Sequence, residues 1–185
     1  MLDASVSTVV LHVIVNYCYN WQISLRRMEH PVDDITFVPA LFYRDPKAAL
    51  DWLAEAFDFE LTMAIEGPDN DPLQCHYEMG YQGRGRVMIG GEWNEWTRSP
   101  ASDDGRNSAN VHVAVTQDID AHCERARAAG ARIVAEPADQ FYGDRVYRCV
   151  DPEGHHWTFA MHVRDVTRAE AEAAIGTPIH APSWR

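Results

Sequence analysis

The chain has 185 residues, of which 46% are hydrophobic, and a formal net charge of −12. That length suits one domain of ordinary size or two small fused modules, and the apolar share is enough to bury a core. The acidic balance leaves no basic stripe to neutralise phosphates, so nucleic acid is not an expected partner; small ligands or a second copy of the chain are.

The segment STVVLHVIVNYCYNW (7–21) is apolar and β-branched. No Lys or Arg precedes it, His12 and Asn16 interrupt it, and it is too short to span a bilayer, so neither a membrane span nor an export signal is expected. Residues 1–30 read as an N-terminal extension, either an added strand or a loosely attached segment, with Met28 as an alternative start. Cys18, Cys75, Cys123 and Cys149 form no C-x-x-C pair. Such spacing suits free thiols in a reducing cytoplasm and argues against a thiolate zinc site.

Two similar blocks follow. The first opens with the strand-like ITFVPALFY (35–43) and continues into DPKAALDWLAEAF. There Ala49, Leu50, Leu53, Ala56 and Phe57 recur at helical spacing, behind Asp45 as N-cap and Pro46 at the first helical position. Strands are expected at ELTMAI, LQCHYEM and GRVMIGG, separated by EGPDNDP and YQGRG. The polar stretch NEWTRSPASDDGRNS (94–108) reads as a linker.

The second block opens with NVHVAV (110–115) and runs into DIDAHCERARAAGA. Asp118 is the expected N-cap, Ile119, Cys123, Ala126 and Ala129 share one helix face, and Gly130 closes the helix. Strands are expected at ARIVAE, RVYRCV and HWTFAMHV. Asp151, Pro152, Glu153 and Gly154 have the residue pattern of a type I turn. Thr167 and Glu170 have capping-box spacing, which predicts a short helix near 167–175 ending at Gly176, followed by an extended tail. The order is thus β-α-β-β-β repeated, an internal duplication.

In PALFYRDPKAALDWLAEAF, DIDAHCERARAAGARIVAEP and YGDRVYRCVDPEGHHWTFA, the chain resembles the vicinal oxygen chelate superfamily of glyoxalases, bleomycin-resistance proteins and extradiol dioxygenases. It is most similar to the bleomycin-resistance-like branch. The resemblance implies an α+β fold in which two tandem βαβββ modules form a curved sheet around a ligand cavity, in a homodimer. The implied domain spans 31–163, with module one at 35–93, the linker at 94–108, module two at 109–163, and a C-terminal helix and tail at 164–185.

Metal-dependent members place a His on the first strand of each module and a Glu on the last. Here the first-module His position falls on Val38 and the second-module Glu position on Thr158, neither a useful ligand for a divalent ion. His112 and Glu92 lie near the other two positions. The implied reading is a metal-independent small-molecule binding protein with no cofactor. The alternative is a lyase, isomerase or dioxygenase with a rebuilt zinc, nickel, manganese or iron site drawn from His76, Glu78, Glu92, His112 or His156, the last three foremost.

Several residues are candidate ligand contacts, each with a structural counter-reading. Alternation puts His156, Thr158, Ala160 and His162 on one strand face and Trp157, Phe159 and Met161 on the other, so His156 is either a cavity residue or a hydrogen-bonded structural one. His155 is expected in solvent at the hairpin edge. Arg145, beside Tyr142 in a rim-like loop, can hold a carboxylate bidentately or fix the loop through an acid of the chain. Gln74, His76 and Glu78 share a strand face, as an acid–base pair or as the solvated side of a half-buried strand. Trp93 and Trp96 offer aromatic walls or simple packing.

Overall fold

The computed structural model describes residues 37–184; the extension expected at the N-terminus lies outside them. Module one runs β1 (Ala40–Tyr43), α1 (Pro46–Phe57), β2 (Glu60–Ile65), β3 (His76–Tyr81) and β4 (Gly85–Gly91). Module two runs β5 (Asn110–Ala114), α2 (Ile119–Ala128), β6 (Arg132–Asp139), β7 (Asp144–Val150) and β8 (His156–His162), and α3 (Arg168–Ile175) follows. Each module forms its own four-stranded sheet, ordered β1-β4-β3-β2 and β5-β8-β7-β6. In both sheets the strand before the helix lies parallel to the module's last strand, and the other pairs are antiparallel. The duplicated α+β architecture expected from the sequence is the observed one.

Local chemistry sets the helix ends. The Asp45 side chain accepts from the Ala48 N–H at 3.1 Å ahead of Pro46, and the Asp118 carboxylate accepts from Asp120 and Ala121 N–H at 3.0 and 3.2 Å. Past α2, Gly130 is left-handed; its N–H reaches the Arg127 carbonyl and the Ala131 N–H reaches that of Ala126, a Schellman closure. The Thr167–Glu170 capping box is formed, and Gly176 ends α3 in the left-handed conformation.

Two segments depart from expectation. The third strand of module one begins at His76 rather than Leu73, because Pro72–Gln74 forms a 3-10 turn capped by the Asp71 side chain. The tail after α3 is not extended throughout: Trp184 turns back on Ala181, and its indole N–H donates to the Val166 carbonyl at 2.9 Å.

The core is shared between modules. Leu53 and Phe57 of α1, Ile119 and Cys123 of α2, Tyr147 of β7, and Trp157 and Phe159 of β8 are all 0% exposed. Phe57 lies between Trp157 and Phe159, with ring centroids 5.1 and 4.6 Å away. The two helices are also tied by polar contacts, from Trp52 Nε1 to the Ala129 carbonyl at 2.7 Å and from Arg125 Nε to the Ala56 carbonyl at 3.3 Å.

The turn DPEG is a latch between modules. It closes through the Gly154 N–H and the Asp151 carbonyl at 3.1 Å, as the turn reading expects. The Asp151 carboxylate is buried and accepts four hydrogen bonds: Glu153 N–H at 3.0 Å, His155 N–H at 2.9 Å, Tyr43 O–H at 2.7 Å and Trp157 Nε1–H at 3.2 Å. Glu153 accepts from the Arg44 and Asp45 amides of module one and from the Ser99 hydroxyl of the linker. Gly154, at φ 97°, lies where a Cβ would meet the Cβ of Pro100 at 2.9 Å, so only glycine allows both the turn and the close linker. His155 is therefore not in solvent. It is 6% exposed, hydrogen-bonded to the Phe42 carbonyl at 2.9 Å and set against the Tyr43 ring.

Candidate functional site

Strand alternation gives each sheet a core face and an opposite face, and the expected site residues distribute over the opposite faces of both. On the first sheet, Tyr77, Met79 and Tyr81 enter the core, which turns His76 and Glu78 to the other side. Glu78 is nevertheless only 4% exposed, so it is not on a simply solvated face. A buried carboxylate requires pairing. Arg86 of β4 supplies it, with Nη1 2.7 Å from one Glu78 oxygen, while His76 Nε2 lies 3.5 Å from the other. The register places Gly80 opposite Arg86, so the long arginine side chain reaches diagonally across the ladder. Gln74, expected beside them, sits in the preceding 3-10 turn, where its amide donates to Asp71.

On the second sheet, Trp157 and Phe159 are buried in the core, and His156, Thr158, Ala160 and His162 face the other way, as the alternation predicts. Parallel pairing sets Asn110 beside His156 and His112 beside Thr158, and Arg148 lies across from Thr158 on β7. The Thr158 hydroxyl donates to the Asn110 side-chain oxygen at 3.1 Å. This face thus combines an amide, a hydroxyl, three exposed histidines and an exposed arginine.

The loop residues are placed elsewhere. Arg145 donates to both oxygens of Asp120, at 2.9 and 2.8 Å, and to Asp139 at 2.9 Å. Its guanidinium holds the Asp120 carboxyl below its usual range. Tyr142 is half-buried with its ring edge-on to Phe141 at 5.1 Å. The adjoining Gly143 carbonyl accepts from Val163 and Arg164 N–H, docking the C-terminal segment here. His162 bridges Asp144 and Asp165 at 3.0 and 3.1 Å, which raises its pKa. Trp93 and Trp96 are 49% and 84% exposed in the linker.

The residues do not fit a divalent ion in the manner of the metal-dependent relatives. Thr158 supplies a neutral hydroxyl already engaged with Asn110, and Val38 has no donor. Glu92 spends one oxygen on the Ser99 N–H at 2.7 Å and the other on the Ser102 hydroxyl at 3.1 Å, holding the linker. Among the described residues no group of three or more His, Cys, Asp or Glu side chains is arranged to hold a metal. His112 and His156 do share a face, but Glu92 is not part of any such group.

Arg86 and Asn110 were missed from the sequence. Arg86 alternates in phase with Met88, and the short Gln82–Arg84 turn brings it back toward Glu78. Asn110 is signalled only by its position at the start of a strand parallel to β8.

A fold built from two βαβββ repeats, each with a polar sheet face opposite a shared core, defines the class. Residues 32–159 match the family model described as Glyoxalase/Bleomycin resistance protein/Dioxygenase superfamily, and the chain belongs to that superfamily. It is 33% identical over 144 residues to the uncharacterized protein Rv0887c of Mycobacterium tuberculosis, covering 75% of this chain and 81% of that one. TioX from Micromonospora sp. ML1 has a similar solved structure, with TM-score 0.54, 35% identity, and coverage of 69% of this chain and 98% of TioX. TnmS3 of Streptomyces sp. CB03234, an antibiotic binding protein, shares the fold at TM-score 0.52 and 18% identity, covering 72% of this chain and 99% of its own. No helix among the described residues is long and apolar enough to cross a membrane.

Proposed function

We propose that the chain is a cytoplasmic small-molecule binding protein that holds its ligand on the polar sheet faces, without a metal ion, as a homodimer. The observation that carries this reading is Glu78, a carboxylate only 4% exposed on the sheet face opposite the core and paired with Arg86 and His76. Charged side chains on a merely solvated strand face are well exposed; a buried, paired acid is the kind of polar anchor that orients a ligand. On the second sheet Asn110, Thr158, His156 and His112 add neutral donors and acceptors. The antibiotic binding of TnmS3 is compatible with this role, although at 18% identity that likeness is one of fold.

The shared face of His112 and His156 supports the alternative of a metal-dependent lyase, isomerase or dioxygenase. Metal analysis of protein purified without chelators separates the two, with no stoichiometric zinc, nickel, manganese or iron expected. Stoichiometric metal that disappears in His156→Ala would overturn the metal-free reading. A thermal-shift screen of flat aromatic antibiotics and cationic glycopeptides should then raise the melting temperature, and Glu78→Gln should remove the effect. Failure of every compound would overturn the binding role, and a monomer mass by light scattering would overturn the dimer.

A further inference from the structure

Away from the polar sheet faces, a groove of about 160 Å³ runs between the two modules. Asp58, Tyr81 and Gln82 line it from module one, and Asp118, His122 and Arg125 from module two. Both walls are held in place. Gln82 is left-handed at φ 48°; its amide nitrogen donates to the Tyr81 oxygen at 3.3 Å, and its carbonyl accepts from Thr116 of the other module at 2.8 Å. Asp58 is also left-handed, at φ 68°, where it ends α1.

The charges around this groove are unusual for their lack of mutual pairing. Arg125 is half-buried, and among the described residues its hydrogen bond is the single one from Nε to the Ala56 carbonyl, with no carboxylate at salt-bridge distance. In a chain with a net charge of −12, a half-buried guanidinium without an acid partner stands out. The Tyr81 hydroxyl accepts from Gln82 and has its own proton left to donate. Among the described residues Asp58, on the module-one wall, forms no ion pair, and Asp118, at the start of α2, keeps one oxygen free of the α2 amides.

That pattern selects among ligands. A polyanion would meet two carboxylates, and a simple cation would meet Arg125. A metal ion would find no imidazole nitrogen, since His122 Nδ1 is bonded to the Tyr147 hydroxyl at 2.7 Å and Nε2 is buried. A liquid-like share of about 30 Å³ per water makes the groove worth about five waters, or a molecule of about six heavy atoms. We propose that this inter-module groove binds a small zwitterionic α-amino acid, its carboxylate held by Arg125 and the Tyr81 hydroxyl and its ammonium facing Asp58 and Asp118. Because the two walls belong to different modules, the bound molecule bridges them.

Titration calorimetry of the full chain with L-alanine and L-serine tests the site. N-acetyl-L-alanine, which lacks the ammonium, and L-alaninamide, which lacks the carboxylate, serve as comparators. Saturable binding of the amino acids is expected, weakened at least about tenfold in either comparator and in Arg125→Gln or Asp58→Asn. Arg125 also touches the Ala56 carbonyl, so a second variant is needed. Ala121→Leu fills the groove from an exposed helix position without altering a charge, and should abolish binding while leaving the urea midpoint near wild type. The proposal is overturned if the wild type fails to bind either amino acid at millimolar concentration. It is overturned equally if the comparators bind as well as L-alanine, or if Ala121→Leu binds unchanged.

Discussion

Replacing Asp151 by Asn perturbs the latch with almost no change of shape. The carboxylate accepts four hydrogen bonds, two on each oxygen. The asparagine oxygen can keep the Glu153 and His155 amides, but its NH₂ then faces Tyr43 and Trp157. Trp157 Nε1–H, on a fully buried side chain, meets a donor instead of an acceptor, a loss of about 1–3 kcal/mol. Tyr43 must reverse its role and leave its own proton unsatisfied, and the remaining two bonds lose their charge assistance, together about another 2 kcal/mol. The expected total is about 3–5 kcal/mol, in the range for breaking a buried charged network. For a chain of this size that lowers the melting temperature by roughly 6–20 °C. Tyr43→Phe removes one donor and should cost about 1–1.5 kcal/mol. Urea denaturation followed by tryptophan fluorescence measures both, with an unchanged m-value showing that the same surface unfolds. The double variant should lose clearly less than the sum, because Tyr43 and Asp151 interact directly. A D151N midpoint within about 1 kcal/mol of wild type would refute the latch.

His122 gives a pH signature. Burial, helped by the charge of Arg125, pushes its pKa from 6.5 down to about 4. Below 6.5 the unfolded chain takes up a proton that the folded chain refuses, so stability falls from there to about pH 4, by roughly 3 kcal/mol, and then levels. His122→Phe should remove this acid limb, and parallel pH profiles of the two proteins would sink the assignment. Burial also pushes the thiol of Cys149 up to about 12 and that of Cys123 up to about 11. Ellman's reagent at mildly alkaline pH should leave both unmodified in the native protein and label them on unfolding. Labelling at the rate of a free thiol would count against their burial.

Much of the fold is legible in local chemistry. Asp45 with Pro46, Asp118 with Gly130, and Thr167 with Glu170 mark their helices because a cap needs only its own turn. Period-two alternation separated Trp157 and Phe159 from His156 and Thr158, and the fold turns the first pair into the core. The strand start at His76 was obscured because a proline followed by apolar Leu73 serves a 3-10 turn as well as a strand.

The site was less legible, because its residues act through partners far away in sequence. Arg145 finds Asp120 from 25 residues away, and its engagement was one of two open readings. The pairing of Glu78 with Arg86 depends on hairpin register. His155 is buried through the Phe42 carbonyl, 113 residues away, which no local pattern reports.

The sequence by itself therefore determined the repeat, the caps, the turn and the strand faces, since each depends on contacts within a few residues or on a strict period. The tertiary structure alone decided what those faces and turns meet. Only there does the type I turn at Asp151 become the joint between modules, and only there does a groove form with Arg125 on one wall and Asp58 on the other. Long-range hydrogen bonds and charge placement leave no periodic trace in the chain, because they are set by how whole modules pack.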